Sequence, residues 1–266
     1  MSVRAEVSYL RRGNERPFYY IHGPPEGEPY SNVHGDRRDV EVQNARTYTP
    51  RPALDREGVE LVGFTDTPED EHDARELTED FYPKVEKLVA EKTGAIRVHA
   101  FDHNLRSSDK SATEGTSVLG PVWLVHNDYT ETSGPQRVRD LLGEEADDLI
   151  GRRFAVINCW KPIHGTAFDA PLAVCDAQTI HSSDRVETDL RYPDRTGEIY
   201  SFSYSEEHRW FYYPEMTPDE ALLIKGYDSA ADCARFTAHT AIRPSGSEPD
   251  APPRRSLEVR TLAFFD

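Results

Sequence analysis

The feature that most constrains the fold is a series of short, apolar, β-prone runs in the second half of the chain. Turn-forming residues separate these runs, and the whole chain contains 19 prolines and 16 glycines, which disfavours long helices. Short strands between repeated turn signals predict an all-β sandwich or barrel. The predicted strands are residues 153–160, 171–176, 198–204, 209–213, 221–227, 235–242 and 256–265.

The first half of the chain has a less regular pattern. Residues 1–66 predict irregular structure with short strands, and apolar residues at three- and four-residue spacing predict an amphipathic helix over residues 68–92. Thr67 is its expected N-cap and Pro83 the position of a bend. We further predict a strand at 96–101, a polar loop at 107–116 and a helix at 135–150.

These elements predict a mainly β protein with one domain over residues 1–266. Residues 1–94 would form an N-terminal extension and helix, which pack on a β core of residues 95–266. The chain is long enough to bury a substantial core.

The net charge of the chain excludes some classes of partner. Asp and Glu number 48 against 31 Lys and Arg, which gives a formal charge of −17 at pH 7. Nucleic acids and anionic membranes are bound by a basic face. We therefore expect a small-molecule partner, no nucleic acid and no membrane, and we leave a homodimer open.

The cysteines indicate a reducing compartment. Cys159, Cys175 and Cys233 have no Cys-x-x-Cys spacing, and their odd number does not suit a disulfide framework. The N-terminus lacks an apolar core of signal-peptide length, and no apolar run is long enough to span a membrane. We expect a soluble, cytoplasmic protein.

A His-x-Asp pair follows another apolar run, residues 122–125. On a strand, positions i and i+2 point to the same face, so the side chains of His126 and Asp128 would converge. An imidazole nitrogen and a carboxylate oxygen are two of the three ligands in the 2-His-1-carboxylate triad of non-haem Fe(II) oxygenases. The spacing alone leaves a satisfied surface pair as the alternative.

Downstream residues supply what such an oxygenase would also need. His239 lies in a strand-like run far from the His-x-Asp pair and is our candidate for the third ligand. A 2-oxoglutarate oxygenase must also neutralise the distal carboxylate of its co-substrate, which a guanidinium does through a bidentate pair. Arg254 and Ser256 follow His239 and offer a guanidinium and a hydroxyl on one strand face.

Several strings of the chain, taken together, resemble one enzyme family. They are HNDYT at 126–130, SGP at 133–135, NCWKPI at 158–163, PLAVCD at 171–176, WFYYPEM at 210–216, KGYDS at 225–229, HTA at 239–241 and RRSLEVR at 254–260. Over residues 95–265 these strings are similar to the gibberellin-desaturase/cephem-methoxylase-like family of Fe(II)/2-oxoglutarate oxygenases. That family occurs in fungal and bacterial secondary metabolism.

The resemblance implies a fold, a metal and a reaction. The fold is a double-stranded β-helix, or jelly roll, with flanking α-helices. The ligands of Fe(II) would be His126, Asp128 and His239, with 2-oxoglutarate and O2 as co-substrates. Oxidative decarboxylation of 2-oxoglutarate would be coupled to hydroxylation, desaturation or cyclisation of a small secondary metabolite or amino-acid-like molecule.

The chain departs from the family pattern at two places. Trp160-Lys161-Pro162 stands where the family usually has Trp-Arg-Pro, which bears on how the pocket handles anions. Arg254-Arg255-Ser256 stands where the family usually has Arg-Glu-Ser. Whether Arg254, Arg255 or Arg260 binds 2-oxoglutarate is therefore open at this point.

Three more residues are candidates for substrate contact: Trp160, Lys161 and His103. For each of them a packing or hydrogen-bonding role is the alternative. Two other functions also remain. A cupin-like protein could bind a metal or ligand without catalysis, and a zinc hydrolase could use the same three ligands, although the sequence shows no general base beside them.

Overall fold

The computed structural model describes residues 2–248 and 250–266. Its strands are β1 Ser2–Leu10, β2 Phe18–Tyr20, β3 Gly35–Asn44, β4 Val59–Gly63, β5 Arg97–Ser107, β6 His126–Asn127, β7 Phe154–Pro162, β8 Leu172–Cys175, β9 Arg185–Arg191, β10 Thr196–Phe202, β11 Trp210–Tyr212, β12 Glu220–Asp228, β13 His239–Ala241, β14 Arg243–Pro244 and β15 Arg255–Phe264. Its α-helices are α1 Ala74–Glu76, α2 Tyr82–Thr93, α3 Lys110–Thr113, α4 Ser133–Leu142 and α5 Ala146–Ile150.

The strands form two sheets in the described part of the chain. The larger sheet has the order β14-β1-β3-β11-β8-β13-β6-β10-β9-β2, and the smaller one has the order β4-β12-β7-β15-β5. All neighbouring strands of the smaller sheet are antiparallel. The mainly β fold that the sequence predicts is therefore confirmed.

The N-terminal region differs from the prediction. Strand β1 pairs with β3 over the whole length of β1 in the larger sheet, and β4 pairs with β12 in the smaller one. Residues before position 94 thus supply two long strands as well as the predicted short ones, and these strands belong to both sheets. Charged residues alternate with apolar ones in β3, where Val42 is fully buried, and this made a paired strand look like a polar segment.

The two sheets face each other across the core. On β7, Phe154 and Val156 point inward, where they share an apolar cluster with Val7 and Tyr9 of the opposite sheet. Alternate residues such as Ile157 point outward and pack against helix α2. Two facing sheets with helices outside match the expected jelly roll with flanking helices, and each fully buried aliphatic side chain contributes about 1.5–3 kcal/mol.

The first predicted helix begins later than expected. Asp73 caps it, because its carboxylate accepts from the backbone N–H groups of Arg75 and Glu76. The turn at residues 77–81 is wider than an α-helical turn, and α2 follows with Pro83 near its start. Thr67, the predicted cap, lies well before the observed helix start at Ala74, and its hydroxyl accepts from the ammonium of Lys161 at 3.2 Å.

Other predicted boundaries of helices and strands also differ from the observed ones. The predicted helix at 135–150 is divided into α4 and α5 by Gly143, whose φ of 52° lies in the left-handed region. Strand β5 continues to Ser107, well beyond the predicted end at residue 101. In the described part of the chain, no helix has the length and apolarity that a bilayer crossing requires.

Candidate active site

The structure brings His126, Asp128 and His239 together between the two sheets. Strands β6 and β13 are neighbours, and His126 is the direct partner of His239 in the pairing. Asp128 follows β6 immediately. The potential ligand atoms of the three residues lie within 4.8 Å of one another, and the two imidazole centroids are 4.4 Å apart.

Both imidazoles are held in the same orientation by the backbone. Nδ1–H of His126 donates to the carbonyl of Leu124 at 2.9 Å, and Nδ1–H of His239 donates to the carbonyl of Thr237 at 3.0 Å. These bonds fix the tautomer and leave Nε2 of each ring as a free lone pair. The Nε2 atoms of both rings are therefore the ones presented beside the carboxylate.

Asn127 hydrogen-bonds the ligand-carrying strand β6 to neighbouring segments. Nothing in the sequence indicated this structural role. Its amide nitrogen donates to the carbonyls of Tyr129 and Gly226 at 2.6 and 2.8 Å, and its oxygen accepts from the N–H of Thr237 at 3.1 Å. Asn127 is fully buried. It thus ties β6 to β12 and to the segment before His239.

The two oxygens of Asp128 have different surroundings. Oδ1 lies 3.7 Å from Nε2 of His126, whereas Oδ2 accepts from the amide of Asn158 at 2.6 Å and lies 3.6 Å from Nε of Arg260. Burial raises the pKa of Asp128, but Arg260, the two histidines and the Asn158 amide together outweigh it. The pKa of Asp128 is therefore below its usual value and the side chain is an anion.

The electrostatics of the three side chains suit a divalent cation. Burial, followed by the proximity of His239, lowers the pKa of His126 to about 3, so this imidazole stays neutral at physiological pH. Two neutral nitrogens and one anionic oxygen are the donor set of the non-haem Fe(II) facial triad. The residues present thus fit ferrous iron.

A second set of unsatisfied groups lies at the start of β15. Arg254 and Ser256 are 2% and 1% exposed, and neither Nε of Arg254 nor the Ser256 hydroxyl has a hydrogen-bond partner in the described chain. One other guanidinium nitrogen of Arg254 donates to the carbonyl of Ala170. Buried polar groups are rarely left unpaired, and a guanidinium beside a hydroxyl fits a carboxylate.

The other two arginines considered for this role are already paired. Arg255 is half-buried and forms an ion pair with Glu71 at 3.4 Å. Arg260 lies 3.0 Å from Asp102 and 3.4 Å from Glu258, in addition to its contact with Asp128. The geometry therefore favours Arg254 over both of them as the anchor of a co-substrate carboxylate.

Trp160 and Lys161 point to opposite faces of β7. Trp160 is inward, and the guanidinium carbon of Arg254 lies 5.4 Å from the centroid of its ring. Lys161 is outward, where its ammonium donates to the carbonyl of Phe64 at 3.0 Å and to the hydroxyl of Thr67. Lys161 therefore does not line the pocket, because adjacent residues of a strand face opposite sides.

His103 also lies outside the pocket. It is opposite Val259 in the pairing of β5 with β15, on the face that helix α2 covers, and its Nδ1 is hydrogen-bonded to the hydroxyl of Tyr82 at 2.7 Å. His103, proposed from the sequence as a substrate contact, instead links β5 to α2 through this hydrogen bond. Its pKa is lowered by burial, which favours the neutral ring.

The sequence pattern did not single out the polar residues on the inner face of β5. Asp102 and Arg106 are opposite Arg260 and Ser256 of β15, and Asn104 lies between them on the same face. The string Asp-His-Asn-Leu-Arg lies beyond the predicted strand end at residue 101, yet its alternate positions face the site. The alternation of polar with other residues at every second position was the available sequence signal that these side chains share one face of a strand.

A cavity of about 680 Å³ opens beside Asp128 and Arg260. Its walls include Ser133 and Arg137 of α4 and Ile199 of β10. A substrate could approach the three candidate ligands from this side.

Comparisons with known proteins agree with this geometry. Residues 7–264 match the family model described as oxidoreductase/YMDC permease-like domain. The chain is 29% identical over 260 residues to the Fe(II)/2-oxoglutarate-dependent dioxygenase nvfI of Aspergillus novofumigatus, covering 95% of this chain and 92% of that protein. It is 31% identical to the hydroxylase/desaturase efuI of Hormonema carpetanum, covering 85% and 83% of the two chains.

A solved structure is similar over almost the whole length. The iron and alpha-ketoglutarate-dependent endoperoxidase NvfI superposes with a TM-score of 0.90 at 27% sequence identity. The match covers 99% of this chain and 98% of that one. The two-sheet core and the strands around the candidate site are therefore shared with an iron enzyme.

Proposed function

The chain belongs to the oxidoreductase/YMDC permease-like domain family, and from that premise we propose that it is an Fe(II)/2-oxoglutarate-dependent dioxygenase. Its substrate is a small secondary metabolite or an amino-acid-like molecule, oxidised at a C–H bond. The relatives named above are dioxygenases and hydroxylase/desaturases, which supports the reaction class.

One observation carries the proposal: the protein contains both an open donor triad and a buried, unsatisfied cationic anchor that packs on the inward-facing Trp160. His126, Asp128 and His239 would hold Fe(II). The unpaired Nε of Arg254 and hydroxyl of Ser256 would bind the distal carboxylate of 2-oxoglutarate. Iron with its co-substrate and O2 supplies oxidative decarboxylation to succinate and CO2, coupled to C–H oxidation.

The protein's own residues supply position and charge. The backbone bonds at Nδ1 aim both histidines at one point, and Trp160 gives the Arg254 guanidinium an aromatic face to lie on. Burial, and then repulsion by Arg106, lower the pKa of Arg254 to about 10. Arg254 is therefore still a cation at neutral pH, and an arriving carboxylate would relieve its unfavourable burial.

Within this class we place the chain in the gibberellin-desaturase/cephem-methoxylase-like group. The strings quoted above, from residue 126 to residue 260, support this assignment. Hydroxylation, desaturation and ring formation remain alternatives, because they differ in how the substrate is held in the cavity beside Asp128.

Succinate formation from 2-oxoglutarate, with and without Fe(II), tests the proposal. The anaerobically purified wild-type protein should form succinate on addition of Fe(II), ascorbate and air, even slowly without substrate. His239→Ala should form none, whereas His181→Ala, which removes a surface histidine paired with Glu207, should match the wild type. Equal succinate formation in the His239→Ala variant and the wild type would contradict the assignment.

The same assay addresses the two other functions. A cupin-like binding protein would bind the metal and form no succinate. A zinc hydrolase would hydrolyse ester or amide probes with Zn²⁺ and be inactive with Fe(II).

A further inference from the structure

Asn158 occupies a central position in the smaller sheet. It lies on β7, between its partners Ile224 of β12 and Arg260 of β15, and it is fully buried. Its side chain points inward, as those of Val156 and Trp160 do. It therefore reaches the candidate active site from the sheet opposite to the one that carries the two histidines.

The contact with Asp128 fixes the orientation of the Asn158 amide. A carboxylate can only accept hydrogen bonds, so Nδ2 must face Oδ2 of Asp128, at 2.6 Å. Nε of Arg260 lies 3.6 Å from the same oxygen. Oδ1 of Asp128 is not engaged by either donor and faces His126.

The other end of the amide has no partner. Oδ1 of Asn158 is a buried acceptor without a hydrogen bond among residues 2–248 and 250–266, which is unfavourable for folding. Asn127, by contrast, uses both ends of its amide in bonds to the backbone. Asn127 thus has the contacts of a structural asparagine, and Asn158 has only its bond to the carboxylate.

We propose that Asn158 is a positioning residue which, together with Arg260, occupies Oδ2 of Asp128 and makes this carboxylate a one-oxygen ligand through Oδ1. The inference rests on the proposed function, since it assumes a metal at the triad. A carboxylate bound through both oxygens would take up an additional coordination position. Holding Oδ2 keeps that position open for the co-substrate or O2.

Asn158→Leu tests the inference, because leucine has a similar volume and no donor. Thr261→Val is the matched control: it removes a buried hydroxyl that donates to the carbonyl of Ile157 at 2.8 Å, in the same pair of strands. Co(II), which reports its coordination by visible absorption, is the probe. Each metal-free variant is titrated anaerobically, and its urea unfolding midpoint is measured alongside.

We expect Asn158→Leu to weaken Co(II) binding about 10- to 100-fold, the range typical of hydrogen-bond partners of metal ligands. Its visible band should also change, since Oδ2 of Asp128 would take a coordination position that the wild-type protein leaves to other ligands. The unfolding midpoint of the metal-free variant should shift only modestly, because loss of the hydrogen bond to the Asp128 carboxylate is offset by removal of the unpaired amide oxygen. Asn158→Ala should change the affinity and the band in the same direction if the leucine is too bulky.

Two results would overturn the inference. One is a Co(II) affinity and spectrum in both Asn158 variants that match the wild type. The other is an equal loss of affinity in Thr261→Val, which would attribute the effect to packing of the strands. If wild-type protein binds no Co(II), or His239→Ala binds it as tightly, the proposed function fails and this inference fails with it.

Discussion

The triad of His126, Asp128 and His239 can be compared with a second group of potential ligand atoms, those of Asp55, Asp228 and Cys233. In both groups the atoms lie within 4.8 Å of one another. Donor types and distances alone would suggest a metal at either place. The difference lies in the cations that the protein itself contributes.

The second group already contains its positive charges. The ammonium of Lys225 lies 2.8 Å from Oδ2 of Asp228 and also pairs with Asp55. The guanidinium of Arg153 lies 2.8 Å from the same carboxylate oxygen. Asp228 and Lys225 are almost completely buried, so this group is a closed ion-pair network.

The triad has no such internal balance. Its nearest cation, Arg260, approaches only Oδ2 of Asp128, and the histidines contribute no charge while they are neutral. Close packing of ligand-type side chains is therefore a poor indicator of a metal centre when the adjacent cations are ignored. A bound dication is therefore electrostatically favourable at the triad. It is unfavourable at the second group, where Lys225 and Arg153 already balance the carboxylates.

The largest effect on stability should come from breaking the closed network. Asp228→Asn leaves Lys225 and Arg153 without their buried partner, which should lower the free energy of unfolding by about 4 kcal/mol. Asp55→Asn, at an exposed carboxylate, should cost about 1 kcal/mol or less. Urea denaturation of the metal-free proteins measures both. A small loss in Asp228→Asn would show that the network is not what satisfies these charges.

The next effect should appear at the open site. Arg254→Met should raise the dissociation constant of 2-oxoglutarate about 100-fold, because loss of a charge-assisted pair costs about 3 kcal/mol. Arg255→Met, one residue away and paired with Glu71, should change it about twofold or less. Calorimetric titration of the iron-loaded protein separates the two. A larger effect at Arg255 would reverse the assignment of the anchor.

A third effect, visible only in the pH dependence of stability, concerns a buried cation outside both groups. Burial lowers the pKa of Lys161 to about 8, since its hydrogen bonds are to neutral oxygens rather than to a carboxylate. Between pH 8 and its ordinary pKa of 10.5, the unfolded chain holds a proton that the folded protein has lost, so this group makes stability rise with pH. Lys161→Met should remove that rise from the unfolding free energy measured across this range. An unchanged slope would show that Lys161 is solvated in the folded protein.

The candidate site residues that lie on short segments could be proposed from the sequence alone. His126 and Asp128 were identified by spacing on one strand, and His239 by its place in a later strand. Arg254 and Ser256 followed from chain order and chemistry, whereas the choice among Arg254, Arg255 and Arg260 required burial and pairing. Those depend on Glu71 and Asp102, which are distant in sequence and carry no signal of their contacts.

Alternation along strands explains most of the remaining differences. Trp160 and Lys161 were considered together, although neighbours on β7 must face opposite sides. His103 was a candidate while Asp102 and Asn104, beside it, were not, because the strand was predicted to end at residue 101, whereas β5 continues to Ser107. Asn158 was also not identified from the sequence, since its proposed role depends on a carboxylate 30 residues earlier in the chain.

The central claim is that the triad and Arg254 together form a site for ferrous iron and 2-oxoglutarate. Anaerobic titration of the protein with Fe(II) and then 2-oxoglutarate tests it most directly, by following the weak visible charge-transfer band of a chelated 2-oxo acid. The account predicts a band in the wild type, none in His239→Ala, and an unchanged band in Cys233→Ser of the second group. A wild type that binds iron without a band, or a band lost only in Cys233→Ser, would contradict it.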